Sequence, residues 1–165
     1  MDPSTDIEPF HLLFVCTGNT CRSPMAEVIA RHRIEQLGWS QVQVGSAGVG
    51  AWDGSPASGG AVRAAQRSSL DLSVHASTYL TPEIVESADL ILTMSASHLM
   101  RAVELGGGER AEMLTGFAAG DDGPDGATGI PDPIGGTDEE YSATFEVLDD
   151  LIEQALLRLE STMKP

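Results

Sequence analysis

The chain has 165 residues, 41% of them hydrophobic, and a formal net charge of −16. This length suits one domain with a single substantial core, and no apolar run approaches a membrane span. The acidic charge argues against nucleic acid or an anionic membrane as a partner, since both would be repelled. The polar start, Met1–Asp6, lacks a signal-peptide pattern, and two neighbouring cysteines indicate a reducing compartment. We therefore expect a monomeric, cytoplasmic protein.

Strand and helix patterns alternate along the chain, which predicts an α/β fold with a parallel sheet. The predicted strands cover residues 12–15, 42–46, 90–94 and 112–114. The predicted helices cover residues 24–37, 56–68, 97–105 and 137–161, and a further helix begins at Thr81-Pro82-Glu83. We expect a single three-layer αβα domain over residues 11–162, after a flexible tail at residues 1–10. Its central sheet should have four parallel strands joined by right-handed crossovers.

The last predicted helix has the clearest periodicity. Its apolar side chains recur at intervals of three and four residues and should face the sheet: Tyr141, Phe145, Leu148, Ile152, Ala155 and Leu159. Before this helix, residues 116–136 are rich in Gly, Asp and Pro, which predicts a long exposed loop. Loops of this length in a compact domain are usually functional or disordered.

The most informative segment follows the first strand: Cys16-Thr17-Gly18-Asn19-Thr20-Cys21-Arg22-Ser23. A loop between a strand end and a helix start points backbone N–H groups inward and forms an anion cradle. There, a helix N-terminus and a nearby arginine would hold Cys16 as a thiolate, and Arg22 could bind two phosphate oxygens. Gly18 permits close approach of the backbone to the anion, and Asn19 tolerates a left-handed turn. The alternative is a buried structural cysteine followed by a serine helix cap.

Eight such residues in one strand–loop–helix setting favour phosphate chemistry. The segment resembles the phosphate loop of the low-molecular-weight protein phosphatases, which include tyrosine and arginine phosphatases and some arsenate reductases. The likeness continues in the expected order through residues 44–48 and 89–94 to Asp132-Pro133, so it covers nearly the whole chain. It implies an enzyme without a cofactor that hydrolyses phosphorylated protein side chains through a phosphocysteine.

The resemblance also implies roles for individual residues. Cys16 would be the nucleophile, and Arg22 would stabilise charge on the transferred phosphoryl group. The remaining loop residues would bind phosphate and substrate: Thr17, Gly18, Asn19, Thr20, Cys21 and Ser23. The Ser23 hydroxyl would bond the Cys16 sulfur. Ser46 and Asn19 resemble a pair that braces the loop, although simple turn chemistry would also explain them.

The leaving group needs a proton donor, and Asp132 is favoured. It lies in Ile130-Pro131-Asp132-Pro133, a stiffened segment before the last helix. By spacing alone Asp-Pro is more often a turn, but the resembled family carries its general acid in an Asp-Pro at this location. Four histidines compete for the role and are predicted to be surface or core residues instead: His11, His32, His75 and His98.

A metal site is not expected. Residues 121–126, with Asp132 at the twelfth position, superficially resemble a calcium loop. Gly123 offers no ligand at the third position, however, and the bidentate Glu and the preceding helix are missing.

Substrate preference depends on the residues around the pocket. Tyrosine-specific relatives usually have aromatics after Asp-Pro and a bulky aliphatic at the position of Thr20, whereas this chain has Ile134-Gly135-Gly136 and a threonine. A planar phosphoguanidinium needs acceptors, which Asp132 and Thr20 could provide, while a phenyl ring gains from apolar walls. Trp52 could be such a wall, a partner contact or a packed side chain. The sequence therefore leans to phosphoarginine, with phosphotyrosine as the alternative.

The chain also departs from the family pattern around His75. The family often has a Ser-His pair followed by Arg after the second helix, whereas this chain has Ser73-Val74-His75-Ala76-Ser77, which leaves a bracing role of His75 in doubt.

Other functions of this fold are less compatible with the sequence. Arsenate reduction needs cysteines downstream of Cys21, and the chain has none. A silent phospho-binding module could dispense with Cys16 and Asp132, so an enzyme is favoured. Oxidation joining Cys16 to Cys21 is a further hypothesis.

Overall fold

The computed structural model of the protein describes residues 8–120 and 128–163. The strands in this part of the chain are β1 (Phe10–Cys16), β2 (Val42–Gly48), β3 (Leu90–Thr93) and β4 (Ala111–Met113). The helices are α1 (Arg22–Leu37), α2 (Gly59–Gln66), α3 (Pro82–Ser87), α4 (Ala96–Glu104), α5 (Leu114–Ala119) and α6 (Asp138–Met163), with a 3₁₀ turn at Gly108–Arg110.

The strands form one four-stranded sheet in the order β2-β1-β3-β4. All neighbouring pairs are parallel, and Val15 of β1 is in register with Ala47 on one side and Thr93 on the other. The inner strands are almost continuously apolar because parallel strands are covered on both faces. Their carboxyl ends meet at one edge of the sheet, which is where ligands bind in open α/β folds.

Successive side chains of β1 enter two separate cores. Leu12 and Phe14 pack in a large core with α1, α2, α5 and α6, whereas Leu13 and Val15 pack in a smaller core with α3 and α4. This alternation follows from the period of two along a strand. It produces helix, sheet and helix layers, so the predicted three-layer αβα fold with a four-stranded parallel sheet is confirmed.

Helix α6 buries the face that its periodicity predicts. All six apolar residues of that stripe are buried in the large core: Tyr141, Phe145, Leu148, Ile152, Ala155 and Leu159. The helix packs against α1, α2 and α5 and closes one side of the domain. Gly60 of α2 makes this packing possible, because a Cβ there would lie 2.3 Å from Cδ2 of Tyr141.

The start of α1 differs from the prediction. The helix begins at Arg22 and its cap residue is Cys21, so Ser23 lies in the first turn and is not the helix cap. The side chain of Ser23 is fully buried and faces the phosphate loop instead. The helix ends as predicted at Gly38, whose φ of 73° suits a glycine.

The second helix is shorter than predicted and begins at Gly59 rather than at residue 56. Ser58 is extended, and its N–H donates to the carbonyl oxygen of Thr20 at 2.9 Å. Because this hydrogen bond ties residue 58 to the phosphate loop, the chain cannot enter a helix before that point. At α3, by contrast, Thr81 is the predicted cap, and its hydroxyl accepts from Ile84 N.

The predicted exposed loop over residues 116–136 is only partly correct. Its first residues belong to α5, where Phe117 is buried beneath the Arg158 guanidinium, 4.7 Å from the ring centre. At the other end, Ile130 is buried and its N–H donates to Met94 O at 2.8 Å. Long-range contacts of Phe117 and Ile130 therefore fix the described parts on either side of residues 121–127, although their composition resembles that of a loop.

Some predictions fall outside the described residues. Residues 1–7, most of the predicted tail, and residues 121–127, which include the calcium-like segment, are not among them. None of the helices within residues 8–120 and 128–163 combines the length and the apolar character needed to cross a membrane.

Candidate active site

Cys16 is the last residue of β1, and its thiol lies beside a hydroxyl. The distance from Cys16 Sγ to Ser23 Oγ is 2.9 Å, and both side chains are almost fully buried. The pair is close because the loop returns to start α1 directly beyond the end of β1. A hydroxyl at this distance can donate a hydrogen bond to the sulfur when Cys16 acts as the nucleophile.

A chain of hydrogen bonds holds the Ser23 hydroxyl beside the sulfur. Asn19 Nδ2 donates to Ser23 Oγ at 2.8 Å and to Ser46 Oγ at 2.9 Å. A Cys16 thiolate has no proton, so Ser23 donates to the sulfur when that form attacks. Ser46 in turn donates to the Glu27 carboxylate, which also pairs with Arg31. The chain therefore runs from a glutamate in α1 to the nucleophile.

Asn19 is held in a special conformation. Its φ is 55°, the left-handed turn that the sequence predicted for an asparagine at this position. Its side-chain oxygen accepts from Thr78 N at 2.8 Å, and its backbone oxygen lies 2.7 Å from His75 Nε2, which donates to it. His75 thus braces the loop although the motif around it departs from the family pattern, so the doubt raised from the sequence was unwarranted.

Arg22 is buried beneath the loop and is held from two directions. Its Nη1 donates to Ile130 O at 2.9 Å, and its Nη2 lies 3.4 Å from both Thr17 Oγ1 and Asp132 Oδ2. Within the residues that the structure describes, the buried Nε of Arg22 has no hydrogen-bond partner. A buried guanidinium N–H without a partner is costly, and an anion bound in the loop would satisfy it.

Asp132 lies across from the loop, at the end of the segment that Ile130 anchors. Its carboxylate is half-exposed, one oxygen faces Arg22, and the other accepts from Ile134 N at 3.1 Å. The carboxyl group is thus near the guanidinium, and the side chain is partly exposed to solvent. This geometry lets the carboxyl group reach a substrate that is bound between it and Cys16.

His98 contacts the loop, which the sequence reading did not anticipate. Its ring is buried, with Nε2 2.8 Å from Thr17 Oγ1 and Nδ1 2.9 Å from Ser95 Oγ. Burial, followed by the nearby charge of Arg22, lowers the pKa of His98 to about 4, so the ring is neutral at pH 7. The sequence predicts a surface or core position for this histidine, and the ring is buried in the structure, but its contact with Thr17 is not visible in the sequence.

The Cys21 sulfur lies among three hydroxyl groups. It is 3.2 Å from Ser58 Oγ, 3.4 Å from Tyr141 OH and 3.8 Å from Thr20 Oγ1, and burial raises the pKa of the tyrosine. Cys16 and Cys21 are not joined by a disulfide. A disulfide between Cys16 and Cys21 under oxidation stays a prediction.

The remaining predicted residues lie on the rim. Thr20 is partly exposed, and a Cβ on Gly18 would lie 3.6 Å from its Oγ1, so its hydroxyl faces the loop. Trp52 is 84% exposed and does not pack into the core, and its carbonyl accepts from Ser77 Oγ. Within residues 8–120 and 128–163, no three potential metal ligands come together.

A thiol and a guanidinium on one loop at the end of a parallel strand, with a carboxyl group opposite, define a cysteine-dependent phosphatase. The chain belongs to the low molecular weight phosphotyrosine protein phosphatase family, whose model matches residues 11–164. The resemblance seen in the sequence is thereby confirmed.

Known relatives include both arginine and tyrosine phosphatases. A protein-arginine-phosphatase of Bacillus subtilis (strain 168) is 37% identical over 151 residues, 90% of this chain and 96% of that protein. The low molecular weight protein-tyrosine-phosphatase Wzb of Escherichia coli (strain K12) is 34% identical over 140 residues, 84% and 88% of the two chains. Among solved structures, a serine mutant of the YwlE arginine phosphatase with a phosphorylated active-site serine superposes with a TM-score of 0.83 at 34% identity, covering 94% of this chain and 99% of that one.

Gly48 of β2 allows the phosphate loop to approach the sheet. A Cβ at this position would lie 2.4 Å from Thr17 O and 2.9 Å from Asn19 N, so Gly48→Ala must displace loop backbone. We expect it to destabilise the fold by about 1–3 kcal/mol and to lower kcat up to about 10²-fold, since small misplacements of catalytic groups are costly. Thermal unfolding and phosphatase assays measure the two effects.

Gly45→Ala in the same strand is the matched control. Its Cβ would lie 3.8 Å from Leu13 Cδ1, an ordinary contact, so both stability and turnover should stay near wild type. Equal losses in the two variants would contradict the steric explanation.

Proposed function

We propose that the protein is a phosphatase that removes phosphoryl groups from protein side chains through a phosphocysteine at Cys16, with phosphoarginine as its preferred substrate. The observation that carries this proposal is the contact of Cys16 Sγ with Ser23 Oγ at 2.9 Å, beside the buried Arg22 guanidinium. A nucleophile, a cation and a carboxyl group facing one loop are the components that phosphoryl transfer requires.

In the first step the Cys16 thiolate attacks phosphorus in line. The bond from phosphorus to the side-chain nitrogen or oxygen breaks, and the leaving group takes a proton from Asp132. Arg22 stabilises the charge that accumulates on the phosphoryl oxygens, with its Nε available for one of them. The Ser23 hydroxyl, 2.9 Å away, donates a hydrogen bond to the attacking sulfur.

In the second step a water molecule attacks the phosphocysteine. Asp132, now a carboxylate, accepts a proton from that water, and the bond between phosphorus and sulfur breaks. Inorganic phosphate leaves and the Cys16 thiolate is regenerated. The partial exposure of the Asp132 side chain supports this role because its carboxyl group can meet both a leaving group and water.

The preference for phosphoarginine rests on the polarity of the rim. The Thr20 hydroxyl and the Asp132 carboxylate supply acceptors for guanidinium nitrogens, and the Bacillus subtilis relative is named a protein-arginine-phosphatase. Gly135 has a φ of 77°, and a Cβ on Gly136 would lie 2.8 Å from Pro133 O, so an aromatic side chain at either position would strain the backbone. Stacking walls for a phenyl ring are therefore few after Asp132, and phosphotyrosine is the second candidate.

We also propose that the protein works as a cytoplasmic monomer on phosphoprotein substrates and does not bind nucleic acid. Support comes from the net charge of −16 and from two reduced cysteines, one of them at the reactive position. Light scattering of the purified protein across a concentration series measures its molar mass and thus tests whether it is monomeric.

Cys16→Ser tests the nucleophile. Removal of the thiolate should lower turnover by several orders of magnitude, as about 10⁶-fold is lost in other enzymes without their nucleophile, while folding and phosphate binding persist. Turnover of para-nitrophenyl phosphate and thermal unfolding with and without phosphate are the measurements. Cys21→Ser should cost far less because that sulfur faces Ser58 and Tyr141, and comparable losses in both variants would refute the assignment.

Asp132→Ala tests the general acid. The chemical step should slow by about 10²–10⁴-fold, and one limb of the pH–rate profile should flatten because the titrating proton donor is gone. The exposed Asp150 of α6 supplies a control, Asp150→Ala, which should leave rate and profile unchanged. A profile that keeps both limbs in the Asp132 variant would assign the proton to another group.

Thr20→Ile tests the substrate preference. The change removes a hydroxyl and adds apolar bulk, so phosphoarginine loses a polar contact worth about 1–3 kcal/mol while a phenyl ring gains packing. The ratio of kcat/KM for phosphoarginine over phosphotyrosine, measured on otherwise identical peptides, should fall at least about tenfold. Thr20→Ser keeps the hydroxyl and should keep most of the ratio. If Thr20→Ile weakens both substrates equally, Thr20 is a scaffold residue.

A further inference from the structure

His98 contacts the phosphate loop but has no part in the chemistry described above. It lies at the start of α4, 81 residues away in sequence from Thr17, and its ring is 2% exposed. We propose that His98 is a positioning residue of the phosphatase reaction, which fixes the Thr17 hydroxyl and through it the Arg22 guanidinium. This inference rests on the proposed phosphatase activity.

The hydrogen bonds around Thr17 support this role. Thr17 follows the nucleophile directly, and its hydroxyl lies between His98 Nε2 at 2.8 Å and Arg22 Nη2 at 3.4 Å. A threonine hydroxyl on an exposed residue can rotate among several partners, so a buried ring that bonds it at ideal distance selects one orientation. In that orientation the hydroxyl oxygen faces the guanidinium.

The His98 ring is itself fixed. Its Nδ1 lies 2.9 Å from Ser95 Oγ, and Ser95 also accepts from the His98 backbone N–H as the cap of α4. The ring therefore cannot turn away from Thr17 without losing a buried hydrogen bond. The beginning of α4 is thereby rigidly connected to the phosphate loop.

The neutral His98 ring is compatible with the nearby guanidinium of Arg22. The charged groups that face it are Arg22 and Asp132, and burial keeps the imidazole neutral at pH 7. A neutral ring has one donor and one acceptor nitrogen, which match the two hydroxyl partners, Thr17 and Ser95. It adds no second positive charge that would repel the guanidinium.

The segment that follows β3 also fixes the Nη1 atom of Arg22, through Ile130. Met94, the residue before Ser95, accepts from Ile130 N at 2.8 Å, and Ile130 O accepts from Arg22 Nη1 at 2.9 Å. The junction between β3 and α4 thus reaches the guanidinium by two routes, one through Ile130 and one through His98 and Thr17. With both η-nitrogens held, the unpaired Nε of Arg22 is aligned for an incoming phosphate.

The test compares His98→Leu, His98→Gln and His98→Asn. The amide of Gln can reach the position of Nε2 and bond Thr17, the amide of Asn reaches only the position of Nδ1, and Leu bonds neither. His32→Leu, on the exposed face of α1, makes the same replacement away from the site. The readouts are kcat for para-nitrophenyl phosphate, the inhibition constant of inorganic phosphate, and the thermal midpoint.

We expect His98→Leu and His98→Asn to lower kcat by about 10- to 100-fold and to weaken inhibition by phosphate, because the guanidinium loses its fixed position. His98→Gln should recover about tenfold of that loss. In the background of Thr17→Val, the further substitution His98→Leu should have little effect on kcat, since residues that act through one contact are not additive. His32→Leu should match wild type.

Two results would overturn the inference. One is equal kcat in the Gln and Asn variants, which can be read even if the Leu variant fails to fold. The other is additivity of the kcat losses caused by Thr17→Val and His98→Leu. An inactive wild type would instead refute the proposed function, so the two failures are distinguishable.

Discussion

The site depends on a single contact, between the Ser23 hydroxyl and the sulfur of Cys16. Asn19 donates to the Ser23 oxygen and holds it beside the sulfur, and a thiolate there has no proton, so Ser23 is the donor once Cys16 is the nucleophile. A buried thiolate without such a donor would be strongly disfavoured. Asn19 adopts a left-handed turn and contacts Ser46, Thr78 and His75. These contacts hold the Asn19 side chain beside Ser23.

Charge is organised at two scales. The protein as a whole carries −16 and repels phosphorylated substrates at a distance. Within the loop the buried guanidinium of Arg22 dominates, because a charge in a low-dielectric site acts more strongly than the same charge in water. Asp132 lies close enough to interact with this cation, and a bound phosphoryl group would compete for the same nitrogens.

The fold contributes by bringing distant segments to one edge of the sheet. The end of β1 delivers Cys16, the end of β2 delivers Ser46 and Gly48, and the end of β3 leads to Ser95 and α4. Parallel pairing makes this convergence unavoidable, since all carboxyl ends lie on the same side. The proposed function of His98 is a consequence of this geometry: α4 starts where the phosphate loop lies.

The sequence alone determined the features that depend on neighbours along the chain. The apolar run of β1, the three-and-four spacing in α6 and the cap at Thr81 each reflect local geometry, and so does the asparagine at a left-handed turn. The composition of the loop from Cys16 to Ser23 likewise indicated phosphate chemistry. Asp132 was identified through the family resemblance, since Asp-Pro by spacing alone indicates a turn.

Only the tertiary structure decided the contacts between segments far apart in sequence. His75 lies 56 residues from Asn19 and His98 lies 81 residues from Thr17, and no local pattern distinguishes either from an ordinary core or surface histidine. Phe117 and Ile130 are likewise held by distant partners, through packing in the large core and, for Ile130, through a hydrogen bond to Met94. Periodicity and turn preferences report interactions within a few residues, whereas such partners are chosen by how the layers of the fold pack together.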